Sequence, residues 1–76
     1  MPTAAFAERR RARISQMYRD LRALDADLYE RCVQSAATIA LNHAHRADMT
    51  NDQRTSLAAD IEASMVEVAL AAKESR

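Results

Sequence analysis

The stretch LRALDADLYE, residues 21–30, decides the architecture, because two long helical patterns either meet there or run on as one. Apolar residues enter it at Ile14, Met17, Leu21, Leu24 and Leu28, stepping by three and four in the a/d rhythm of a coiled-coil seam. That rhythm crosses Asp25 and Asp27 without a slip, which on its own describes one helix of about 40 residues, on the order of 60 Å long. Aspartate, however, hydrogen-bonds to nearby backbone in non-helical conformations and is a better cap than an interior helical residue. Asp27 followed three residues later by Glu30 has the spacing of a capping box. We therefore read a break at Asp25 to Asp27, which predicts three helices at about 4–24, 28–46 and 51–74. The alternative is a continuous pair in place of the first two.

Everything outside that stretch is helical in character. The chain has no glycine and a single proline, Pro2. Without glycine for tight hairpins and left-handed caps, and without proline to interrupt, a sheet protein is hard to build. The fold class is all-α, a small helical bundle in a single domain spanning residues 1–76. Thr3 is placed to cap the first helix. The second runs through Cys32, Val33, Ala36, Ile39 and Ala40 to about Arg46. After the polar stretch from His45 to Met49, Thr50 and Gln53 form a second capping box. The last helix carries a seam of Ala58, Ile61, Met65, Val68 and Ala72, widened by Leu57, and Val66 with Leu70 fall to one side, where a minimal bundle leaves them exposed.

Size then argues for a partner. At 8.5 kDa the chain buries only roughly 60% of its unfolded surface, which makes a lone domain marginal. Hydrophobic residues are 49% of it, but many are alanine and only Phe6, Tyr18 and Tyr29 are aromatic, so the core gains from surface supplied by another chain. The expectation is a homodimer sealed along Ile14, Met17, Leu21, Leu24 and Leu28.

The formal net charge is zero and the pI about 6.7, yet the two ends differ in sign. Residues 1–24 carry Arg9, Arg10, Arg11, Arg13, Arg19 and Arg22 against Glu8 and Asp20, while residues 47–76 carry six acids against Arg54, Lys73 and Arg76. If the helices run up, down and up, Arg9, Arg10, Arg11 and Arg13 meet His43, His45 and Arg46 at one end. That gathers a basic pole, answered in part by Asp48 and Asp52. Guanidinium groups pair with carboxylates and phosphates, so this pole is the predicted partner-binding site. On a helical wheel the arginines point to all sides rather than forming one stripe, and no aromatic residues interleave with them, so neither groove binding nor base stacking is favoured.

Other chemistries find little support. His43 and His45 are two apart, whereas helical metal pairs stand three or four apart, so no metal site is predicted. Cys32 is the only cysteine, which excludes an intrachain disulfide and points to a reducing, cytoplasmic setting and a small buried hydrophobe. Phosphate-cradling loops need glycine, so they are excluded, and no cofactor is expected. The Ala- and Arg-rich start, Met1 to Leu21, is somewhat like a transit segment but is interrupted by Glu8 and Asp20. No apolar run is long enough to cross a membrane. Arginine outnumbering lysine, with abundant alanine, points to a GC-rich bacterial or phage genome. The functional expectation is a non-enzymatic helical interaction module, an adaptor, regulator or inhibitor of a larger protein. The alternative is a dimeric DNA- or RNA-associated regulator that contacts phosphates through the arginine-rich first helix.

Overall fold

Asp25 is the residue at which the chain turns. The computed structural model describes residues 4–75, and in it α1 spans Ala4–Leu24, α2 Ala26–Ala47 and α3 Asn51–Glu74. Thr3, expected as the first cap, lies outside the described residues. Asp25 alone separates α1 from α2. Its backbone is extended at φ −158°, and its Oδ1 accepts a hydrogen bond from the Leu28 amide at 3.0 Å, satisfying one of the orphan donors of the new helix. The continuous-helix alternative is thus overturned. The cap is also moved, because Asp25 and not Asp27 holds it, and α2 begins at Ala26 rather than near 28. Asp27 instead sits in the first turn, where a carboxylate complements the positive end of the helix dipole.

The second turn is also made with aspartate. Asp48 adopts the left-handed conformation, φ 55° and ψ 48°, and its amide donates to the Ala44 carbonyl. Glycine is the usual occupant of such a cap, and aspartate is among the few other residues that tolerate it. Thr50 then opens α3 with the full capping box: Gln53 N–H donates to Thr50 Oγ1 at 3.2 Å, and Thr50 N–H donates to Gln53 Oε1 at 2.9 Å.

The helices run up, down and up. α3 packs more extensively on α2 than on α1. Leu21, Cys32, Val66 and Leu70 form the centre of the core, with Met17, Tyr18, Leu28, Tyr29, Met65 and Ala69 packed around them. Along α2, Ala36, Ala40 and Ala44 are buried at four-residue spacing, so the seam toward the turn is made of methyl groups and allows close helix approach. This arrangement reverses one expectation for α3. Val66 and Leu70 are buried, whereas Val68 is 70% exposed and Ala72 is exposed. The reason is that α3 serves two neighbours. Met65 and Ala69 line its border with α2, Val66 and Leu70 close on Leu21 of α1, and no single stripe of 3.5-residue period can cover both directions.

A similar shift moves the α1 seam. Leu21 is completely buried within the chain and Ile14, Met17 and Leu28 are half-buried, but Leu24 is 59% exposed. The covered stripe advances from Ile14 through Tyr18 and Leu21 to Asp25, and leaves Leu24 on the flank. At the end of that stripe the Asp25 carboxylate meets Lys73 Nζ of α3 at 2.9 Å, which ties the turn to the far end of the chain.

Asp25 therefore holds two jobs, and pH separates them. The hydrogen bond from Lys73, followed by that from the Leu28 amide, holds its carboxyl below the ordinary value of 3.8. A depressed carboxylate contributes stability above its unfolded pKa and loses it as pH falls through the folded one. Acid titration of the helical signal should thus show a loss below pH 3.8 that Asp25→Asn lacks. Asn retains the cap, so this variant should keep most helicity at neutral pH, while Asp25→Ala should melt several degrees lower.

Candidate functional site

The basic residues of α1 and of the end of α2 stand on exposed helix surface and line different hollows. Arg9, Arg10, Arg11 and Arg13 are all exposed, as are His43, His45 and Arg46. Arg10 and Arg13 line an open groove between α1 and α3 together with Ile14, Met17, Asp60 and Glu67. His45 and Arg46 line a separate hollow on α2 with Leu41 and Asn42. The groove between α1 and α3 is two-signed along its length. Asp60 and Glu67 stand beside Arg10 and Arg13, and further along Asp20 and Glu74 flank Arg13 and Gln16. Local carboxylates answer the guanidinium charge, which lowers the attraction of this face for a polyanion.

Where α1, α2 and α3 converge, two tyrosines meet edge to face. The Tyr18 and Tyr29 rings lie 6.0 Å apart at 66°, and the Arg22 guanidinium sits 4.9 Å above the Tyr29 ring. Burial, then the nearby Glu62 charge and Tyr29, pushes the Tyr18 hydroxyl above its ordinary value of 10.0, so it stays protonated and neutral. This cluster stiffens the junction near Asp25 through aromatic and cation–π contact. A reactive group is not part of it.

The chemistry-bearing residues stay dispersed. Among the described residues no three His, Cys, Asp or Glu side chains stand close enough to hold a metal ion. Cys32 is free and buried between α2 and α3.

The most distinct surface feature was not anticipated from sequence. On the side of α2 and α3 away from Leu21, a shallow groove is lined by Leu28, Cys32, Met65, Val68 and Ala69, with Arg31, Ser35 and Ser64 at its rim. Comparison with protein families, curated proteins and solved structures returns no match. Function is accordingly argued from the residues themselves. The groove's lining is almost wholly apolar, and among the described residues Val68 in it is the most exposed of the large hydrophobic side chains. The sequence contained the signal in part, because Val68 belongs to a seam of three- and four-residue steps. What the spacing lacked was a way to tell which of two seams on α3 faces inward.

Among the described residues no helix is long and apolar enough to cross a membrane.

Proposed function

We propose that this chain is a small, non-enzymatic helical interaction module, an adaptor, regulator or inhibitor that presents helix faces to a larger protein. The observation that carries the reading is unspent surface. A compact monomer of this mass exposes about 4,650 Å² and has a radius of gyration of about 11.4 Å. This chain exposes 5870 Å² and has a radius of gyration of 13.9 Å, spread over a slab of 40 × 35 × 16 Å. The excess, roughly 1,200 Å², exceeds the ~800 Å² that one partner contributes to an interface of standard size. Surface left open on this scale is available to a partner, and large contiguous apolar patches mark interaction sites. A reducing, cytoplasmic setting in a bacterium or phage belongs to the same reading, supported by the lone free Cys32 and the Arg- and Ala-rich composition.

The nucleic-acid alternative is weakened by the carboxylates beside Arg10 and Arg13. The two readings part in a purification from source cells. A module of the proposed kind brings down protein at fixed stoichiometry. A phosphate binder brings down nucleic acid, which a chain with no tryptophan and two tyrosines reveals at once in its 260 to 280 nm absorbance ratio. Arg10→Glu combined with Arg13→Glu should leave helicity unchanged, because both residues are exposed, and should separate the partner if the arginine end contributes to the contact. Binding that falls steeply with salt and is lost in the double variant, with nucleic acid as the ligand, would replace the proposed reading with the alternative.

A further inference from the structure

Asp25 is a joint of one residue between two helices, and we propose that it is a two-state hinge: bent in the single chain, and straight in a dimer whose two copies exchange α1. The inference goes beyond the interaction-module reading and does not depend on it. Helical hydrogen bonding runs up to the joint from both sides. The Asp25 amide donates to the Leu21 carbonyl at 2.8 Å, and the Asp25 carbonyl accepts from the Tyr29 amide at 3.0 Å, each the partner four residues away that an α-helix uses. Between these two bonds lie the amides of Ala26, Asp27 and Leu28 and the carbonyls of Arg22, Ala23 and Leu24. Helical dihedral angles at Asp25 would pair those groups with one another. The apolar steps Leu21, Leu24 and Leu28 are already in phase for that straight form.

The bend is held by the Asp25 side chain. Its Oδ1 accepts from the Leu28 amide at 3.0 Å and its Oδ2 meets Lys73 Nζ at 2.9 Å, the latter a partly exposed pair of the kind that contributes little. Of the three helices α1 is also the least extensively packed, and among the described residues Leu21 is the one buried position on it. Releasing α1 therefore uncovers little, and exchange covers it again. The fold fixes what fills the vacated seat: the surface of α2 and α3 that receives Leu21 takes Leu21 of a second copy with the contacts one chain makes with itself. Leu21 with Cys32, and Tyr18 with Tyr29, stand on opposite sides of Asp25, so the same pairs form between two straight helices that run antiparallel and cross there. The crossing also gives cover to Leu24, which is 59% exposed in the bent chain and which a straight helix sets in line with Leu21 and Leu28. Because exchange joins two chains, the straight form grows with concentration and the bent monomer prevails on dilution.

The test reads mass and one distance. Ser15 and Ser35 are exposed and stand equally far along the chain on either side of Asp25. Spin labels at Ser15→Cys and Ser35→Cys, in a chain that also carries Cys32→Ala, lie about 30 Å apart on a straight helix and far closer when the chain doubles back. Labelled chains are diluted with unlabelled ones, so that the distance is read within one chain. Asp25→Ala removes both side-chain contacts and sets a strong helix former at the joint. At high micromolar concentration it should sediment at twice 8.5 kDa and show the long distance, and at low micromolar concentration it should return to the bent monomer. Asp25→Gly removes the same contacts but disfavours a helix interior, so its dimer dissociation constant should be at least roughly tenfold higher than that of Asp25→Ala. Lys73→Ala keeps the cap and should raise the long-distance population above the parent's at equal concentration. An Asp25→Ala chain that stays monomeric at high micromolar concentration, or one that dimerises with the short distance retained, would overturn the exchange. Equal dissociation constants for the alanine and glycine variants would overturn the hinge. If the Asp25 variants fail to fold, an unchanged distance distribution in Lys73→Ala would overturn it instead.

Discussion

Replacing Leu21 with alanine is expected to lower the melting temperature further than any other single truncation, by roughly 10–25 °C. Among the described residues Leu21 and Val66 are the only large side chains buried to below 2% exposure, so the core has two anchors and little redundancy. Removing a fully buried leucine costs about 2–5 kcal/mol, the higher values where the cavity cannot collapse. A domain of this length has a total stability of about 4–11 kcal/mol. Leu21 of α1 clusters with Cys32 of α2 and with Val66 and Leu70 of α3, so the hole would open where all three helices meet. The control is Leu41→Ala. Leu41 is 54% exposed on α2, so the same chemical change there should alter stability by less than about 0.5 kcal/mol. A thermal melt of the two variants beside the parent checks both, and equal effects would mean that α1 does not pack as described.

Ala40→Leu is expected to have the next largest effect, and for the opposite reason. Ala36, Ala40 and Ala44 are buried at 1%, 0% and 7% exposure, and Ala40 has no room beyond its methyl group. Adding three carbons pries α2 from α3, and overpacking of this kind costs about 1–3 kcal/mol, occasionally more. The strain falls on the helix pair that makes the most extensive contact in the fold, so loss of helicity should accompany the drop in melting temperature. Unchanged stability on denaturant titration would show that the two helices stand further apart at this point.

Much of this fold was legible before any coordinates, and the misses share one cause. Absence of glycine fixed the class, the Thr50 and Gln53 box fixed the start of α3, and the end of α1 and both ends of α3 agree with the structure to the residue. At the first turn the sequence offered two aspartates with capping potential. Spacing to Glu30 favoured Asp27, while Asp25 won because its second oxygen also reaches Lys73, a residue 48 positions away that local patterns do not register. Long-range geometry likewise settled Val66 and Leu70. Each helical wheel has one best seam, but α3 touches two helices in different directions, and only the position of α1 reveals that Val68 is on the outside. The carboxylates Asp60 and Glu67 of α3, which share a groove with Arg10 and Arg13, were likewise out of reach of local patterns.

The outer α2–α3 face is the centre of this account, and the methyl resonances of the chain report on it directly. In the complex recovered from source cells, the Val68 and Ile39 methyl signals should shift from their positions in the isolated chain. Those of Val66 and Leu21, sealed inside the chain, should stay in place. Signals from Val68 and Ile39 that hold still, or movement confined to residues beside Arg10 and Arg13, would contradict it.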